Sequence, residues 1–175
     1  MLSECVSRNN GGVGFNSWSW GETQSSVAEG NASDGFVFHG GFKMTDCTAR
    51  DNGGVGINSM SQGVAREAVA EGNGLDGIKV GAGSNVTGCV ARGNGTTGDG
   101  AGIRVMGSGS RIEGNQVLNN DWGINLIAGG NLVIGNSASG NTSANYSIPS
   151  GNAAGPIAGT LEVATTTSPN ANYEY

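Results

Sequence analysis

Asparagine recurs in this chain at Asn10, Asn31, Asn52, Asn73 and Asn94, always at the same 21-residue step, and the series resumes at Asn120 and Asn141. A glycine and then an apolar residue follow each of the first six: Gly14-Phe15, Gly35-Phe36, Gly56-Ile57, Gly77-Ile78, Gly102-Ile103 and Gly123-Ile124. The 26-residue step from Asn94 to Asn120 reads as an insertion around Thr96 to Ala101. A fixed period of this size means stacked copies of one small unit, none of which buries its apolar face alone. Leucine-rich repeats share the length, but this chain has few leucines. The apolar residues instead alternate with polar ones, as in Ile78-Lys79-Val80, Ile103-Arg104-Val105 and Ile124-Asn125-Leu126. Alternation marks a strand with one face inside. Glycine supplies 34 of the 175 residues, and with Asn it breaks the chain into turns. That composition alone also suits a disordered segment; the strict period decides for order. The expected fold is all-β: a β-solenoid of about seven rungs, one per period. The repeats cover residues 1–157, and a closing strand and tail follow at 158–175. With rungs about 4.8 Å apart, the rod is roughly 30 to 35 Å long.

A second period lies over the first. Cys5, Cys47 and Cys89 are each two repeats apart, and Ser26 and Ala68 hold the intervening places. Three residues on, Arg8, Glu29, Arg50, Glu71 and Arg92 alternate in sign. Stacked like charges repel, so this alternation fixes register. The cysteines are expected as a core row of free thiols. Two rungs separate them by more than the Cα distance a disulfide tolerates, and their number is odd.

The rungs Asn52 to Ile57 and Asn73 to Ile78, with the closing stretch Gly135 to Ile148, resemble right-handed parallel β-helix repeats of the pectin lyase-like superfamily. The resemblance covers residues 1 to about 157. It implies a right-handed, single-stranded parallel β-helix and the C-terminal part of a longer bacterial protein. Members include pectate and pectin lyases, polygalacturonases, alginate epimerases and phage tailspikes, so the resemblance specifies fold rather than activity. In such proteins stacked asparagines bridge successive turns. That role is implied for Asn10, Asn31, Asn52, Asn73, Asn94, Asn120 and Asn141, since an amide both donates and accepts. The paired aspartates of polygalacturonases are absent here, as are the Asp-Pro-His-Glu signature of alginate epimerases and the calcium repeat Gly-Gly-x-Gly-x-Asp.

Few residues remain as site candidates. Lys79 and Arg104 should point outward on adjacent rungs, with Asp76 and Asp99 close by and the inserted loop beside them. A cation pair flanked by carboxylates is suited to an acidic sugar, although a solvated charge ladder explains it as simply. Asp34 and Asp76 occupy equivalent places two rungs apart, but Val55 stands between them and Asp-Gly is also a favoured turn. Trp18, Trp20 and Trp122 are candidates for stacking on sugar rings, with end-capping as the alternative for the first two. His39 is the only histidine and reads as a corner residue. No Cys-x-x-Cys exists, and no metal site is expected. No cofactor is expected; calcium is left open but has no motif. A threonine row suited to ice is broken, because Gln24 and Arg66 alternate with Thr45 and Thr87.

The formal net charge of −6 speaks against nucleic acid as a partner. No apolar run is long enough to span a membrane. A polysaccharide is the partner to test, and the oligomeric state is open. The N-terminus shows neither a signal peptide nor the helix that usually caps this fold. The expectation is therefore an excised piece of a parent that is secreted or displayed on the cell surface. Three functions follow. The first is a non-catalytic extracellular module with a structural or carbohydrate-binding role. The second is a lyase or hydrolase acting on acidic polysaccharide along the Lys79/Arg104 face. The third is a purely structural rod of the tailspike or adhesin kind. A groove with converging side chains would favour the second.

Overall fold

The computed structural model describes residues 1–160 and 166–175. The chain winds as a right-handed parallel β-helix, each turn contributing one short strand to each of three parallel sheets. The first sheet has eight strands, beginning at Leu2–Ser3 and Gly21–Gln24 and ending at Ala153–Ala154. The second has nine, beginning at Val6–Arg8. The third has seven, from Phe15–Ser17 to Ala144–Ser147.

Register is set by the repeat. Phe36 pairs with Ile57, and Ile57 with Ile78, one period on each time. Ile78 then pairs with Ile103, four positions later than the period requires, and Asn85 with Arg111, five positions later. The five extra residues are thus divided. Four lie between Asn94 and Gly102, and the fifth lies in the next corner, between Val105 and Ser110. The expected single insertion around Thr96 to Ala101 is corrected to this extent.

Inward-facing residues stack as columns. In the third sheet Phe36, Ile57, Ile78, Ile103 and Ile124 follow one another at 0% exposure. Each such side chain stabilises the fold by about 1.5 to 3 kcal/mol relative to its exposed state. The second sheet presents Ala28, Ala49, Ala70 and Ala91 in one column. These small residues bring that sheet close to the corner where the chain turns into the third.

That corner carries a continuous asparagine ladder. Nδ2 of Asn10 donates to Oδ1 of Asn31 at 2.8 Å. The same bond links Asn31 to Asn52, Asn52 to Asn73 and Asn73 to Asn94, each at 2.9 Å. It continues at 2.9 Å from Asn94 to Asn120 and from Asn120 to Asn141, and Asn141 ends the series on Asn145. Each Oδ1 also accepts the backbone N–H of the preceding ladder residue, and the second Nδ2 proton of Asn52 goes to the Ala28 carbonyl. The amide is therefore fully satisfied inside the protein, which is what burial of a polar group requires. The ladder also explains the glycine that follows: a Cβ on Gly56 or Gly77 would lie 2.6 Å from Nδ2 of Asn73 or Asn94.

Two further ladders occupy the other corners. The thiol row Cys5, Ser26, Cys47, Ala68, Cys89 continues as Asn115, Asn136 and Asn172, joined by Nδ2-to-Oδ1 bonds of 2.9 and 3.0 Å. Between the third and first sheets Ser84 and Ser110 lead into Asn131 and Asn152.

The C-terminal end closes in a way the repeat does not suggest. The strand Asn172–Glu174 lies between Ser137–Ser139 and Ile157–Ala158 and pairs in parallel with both. Residues 172–174 are thus built into the second sheet rather than trailing as a tail. Of the closing strand expected within 158–175, residues 161–165 lie outside the described residues. The Tyr146 hydroxyl, 2.9 Å from the carbonyls of Asn136 and Tyr173, ties this end together.

Candidate functional site

The outer face of the third sheet carries the site. Its outward column runs Asn16, Val37, Asn58, Lys79, Arg104, Asn125 and Ser147. One position at the entry to each strand decides how this column is paired. Where that position is Asp, its carboxylate reaches to the next rung and bonds the outward residue there. Asp34 accepts from the Val55 N–H at 2.8 Å and from Asn58 Nδ2 at 2.7 Å. Asp76 accepts from the Ala101 N–H at 2.7 Å and from Arg104 Nε at 2.8 Å. Asn58 lies 24 residues beyond Asp34, and the same step back from Lys79 arrives at Val55. Val55 is buried, 4% exposed, and supplies no charge. Lys79 therefore has no carboxylate of its own. Among the described residues it makes no ion pair and no side-chain hydrogen bond, while six of the eight cationic residues are paired.

Arg104 stands in register beside Lys79 in the outward column but is not a free cation. It turns onto Asp76, with side-chain exposures of 16% and 8% for the pair. Asp99 meets Arg104 with its backbone carbonyl, at 3.0 Å from Nη2, while its carboxylate takes the Trp122 indole N–H at 2.6 Å. Asp99 belongs to the inserted loop, which is bolted down on both sides. Asp121 accepts from the Gly100 N–H at 3.1 Å, and the Thr97 hydroxyl donates to the Gly74 carbonyl at 2.9 Å. Neutralising Arg104 also lowers its repulsion of Lys79 one strand away, about 4.8 Å along the sheet.

Two shallow depressions adjoin at Lys79 and Met106. One, of about 380 Å³, is lined by Lys79, Asp76, Asp99, Arg104, Leu75 and Ile127 among others. The second, of about 320 Å³, continues toward the N-terminal rungs over Asn58, Ser59 and Met60. Together they form a trough along the solenoid axis, with the inserted loop walling one side. Met60, Met106 and Ile127, all exposed, form the apolar rim opposite.

The tryptophans are not brought together. Trp18 stacks on His39, ring centroids 3.9 Å apart and 7° from parallel, at the corner after the third sheet. Trp20 lies against Gly41 in the same corner. Trp122 is five rungs away on the opposite edge and serves the inserted loop. The ring planes of Trp18 and His39 stack rung upon rung, as Phe15 and Phe36 do inside.

The thiols are apart from the site. Cys47 and Cys89 are buried and free, and Cys5 is half-buried. Burial raises the Cys47 pKa and pushes that of Cys89 up to about 11, so neither is a nucleophile at neutral pH. Among the described residues no group of three or more His, Cys, Asp or Glu side chains is placed to hold a metal ion. No described helix is long and apolar enough to cross a membrane. In the charge row, Glu29 bridges Arg8 and Arg50, while Glu71 pairs with Arg92 alone.

Sequence reasoning placed Lys79, Arg104, Asp76 and Asp99 together and set Val55 between Asp34 and Asp76, but missed Asn58. The signal for Asn58 was the 24-residue step from Asp34 to the outward residue it holds.

No protein-family model matches the chain, and no curated protein matches it. Among solved structures it is similar to two mannuronan C-5 epimerase modules from Azotobacter vinelandii. With the mannuronan C-5 epimerase AlgE4 A-module the TM-score is 0.68 at 18% identity, over 98% of this chain and 52% of that one. With the mannuronan C-5 epimerase AlgE6 A-module it is 0.60 at 18% identity, over 98% and 56%. The chain thus spans about half the length of the structures it matches. At this identity the likeness establishes a shared right-handed β-helix fold.

Proposed function

We propose that the trough on the third sheet binds an acidic polysaccharide of the uronan class, with a uronate carboxylate held at Lys79. The observation that carries this reading is the unpaired Lys79 itself. Its neighbours in the column, Asn58 and Arg104, each have an aspartate, and its own place for one is Val55. A free cation left in a walled trough awaits an anion from outside. The fold shared with two mannuronan C-5 epimerase modules supports the same substrate class.

Of the two chemistries considered, hydrolysis has less support. It needs one carboxylic acid and one free carboxylate astride the bond, but Asp76 is engaged by Arg104 and Ala101, and Asp99 by Trp122. Neutralising a uronate carboxylate instead acidifies the adjacent C–H bond. Both eliminative cleavage and C5 epimerisation require that acidification.

The test is binding of mannuronan oligosaccharides, with turnover followed in the same samples. Ultraviolet absorbance of unsaturated ends reads elimination, and deuterium uptake at C5 reads epimerisation. Binding that weakens with salt and is lost in Lys79→Ala supports the reading. Equal binding by Lys79→Ala and wild type overturns it.

A further inference from the structure

Asn58 holds an anomaly beside Lys79. Its Nδ2 donates to Asp34 Oδ2 at 2.7 Å. Only the nitrogen of an amide can serve a carboxylate, so the side-chain orientation is fixed and Oδ1 faces the other way. There Oδ1 is buried and finds no hydrogen-bond partner. Elsewhere in this chain the buried asparagines of the ladder are satisfied on both sides, as Asn52 and Asn73 show. A buried acceptor without a donor is rare enough to need a reason. Its surroundings supply one. Asn58 lines the second depression with Lys79, Met60 and Met106, and pairs in register with Lys79 on the next strand. The three neighbours are unbranched, flexible side chains that can move aside for a ligand.

We infer that Asn58 Oδ1 is a hydroxyl-reading acceptor of the same trough. It takes a hydrogen bond from a sugar hydroxyl close to the carboxylate that Lys79 holds. Asp34 positions the amide and leaves it no freedom to turn its nitrogen toward the ligand. The pair then selects a hydroxylated acid over a bare polyanion: Lys79 reads charge, and Asn58 reads the hydroxyl. This rests on the uronan reading of the face.

The test compares two polyanions, mannuronan oligosaccharides and poly-glutamate. The latter carries carboxylates without hydroxyls. The proteins are wild type, Lys79→Ala, Asn58→Ala and Asn58→Val; valine already occupies the next place in this column as Val37. The expected result is a loss of about tenfold in mannuronan affinity for both Asn58 variants, the weight of one hydrogen bond. Their poly-glutamate binding stays at the wild-type level and circular dichroism shows them folded; two opposed effects act on their thermal midpoints, removal of an unsatisfied acceptor and loss of the 2.7 Å bond to Asp34. Lys79→Ala loses affinity for both polymers. Wild-type affinity for mannuronan in folded Asn58 variants overturns the role of Asn58 and leaves the face intact. A wild-type protein that binds neither polymer overturns the face and this inference together.

Discussion

Replacing Asn73 by alanine tests how the solenoid is held at its most repetitive corner. Asn73 is 0% exposed and takes part in four side-chain hydrogen bonds. Its Nδ2 donates to the Ala49 carbonyl at 3.1 Å and to Asn94 Oδ1 at 2.9 Å. Its Oδ1 accepts from Asn52 Nδ2 at 2.9 Å and from the Asn52 N–H at 3.2 Å. Alanine leaves the two Asn52 donors unsatisfied in a place water does not reach. Asn94 Oδ1 keeps one donor, the backbone N–H of residue 73. Each orphaned donor costs about 1 to 3 kcal/mol, so the expected loss is roughly 2 to 6 kcal/mol. Asn10→Ala, at the exposed end of the ladder, orphans no buried donor and should cost less than about 1 kcal/mol. Urea unfolding followed by circular dichroism gives both values from midpoint shifts at unchanged slope. A loss below about 1 kcal/mol for Asn73→Ala, or equal losses for the two variants, would refute the view that the ladder acts through satisfied burial.

Other outcomes follow from the same geometry. Under native conditions a thiol reagent should modify Cys5 alone, with Cys47 and Cys89 reacting only in denaturant; rapid native labelling of all three would contradict their burial. Cys89 titrates near 9.0 in the unfolded chain and about 11 in the fold. The folded state therefore retains a proton that the unfolded state loses. The stability from this group is complete below pH 9 and is lost as pH rises toward about 11. Cys89→Ala should show a shallower decline over that interval in pH-dependent urea unfolding. Glu67 has a backbone φ of +53°, in a column where Gly88, Gly114 and Gly135 hold φ between 63° and 64°. Glu67→Gly relieves a left-handed side-chain clash and should raise stability by about 0.5 to 1 kcal/mol, read as a higher urea midpoint.

The β-solenoid and its register were legible because a single period repeats the same residue types at the same places. Three features were not. The second ladder was hidden because its column changes from Cys, Ser and Ala to Asn115 and Asn136, and its last member, Asn172, lies 36 residues on from Asn136. A strand that returns to insert between two others leaves no period to find. One of the five inserted residues was assigned to the wrong corner, because the glycine-rich corner at Gly107 to Gly109 offers only the Ser108 side chain to align. The site was only half legible. Asp76 and Lys79 are three apart in sequence and invite pairing, yet a carboxylate entering a strand reaches the next rung instead, and so finds Arg104. The isolation of Lys79 comes from Val55, whose contribution is a missing charge.

The most direct measurement of the account is isothermal titration of mannuronan oligosaccharides into wild type, Lys79→Ala and Val55→Asp. The Val55→Asp change supplies Lys79 with the carboxylate that Asp34 gives Asn58 and Asp76 gives Arg104, and it removes no polar or charged group from the trough, which Val55 lines with an apolar side chain. Both variants are predicted to lose about ten- to a hundredfold in affinity, the weight of a hydrogen bond to a charged group, with circular dichroism unchanged. Wild-type affinity in Val55→Asp and Lys79→Ala would contradict the claim that the unpaired lysine is what this face offers a ligand.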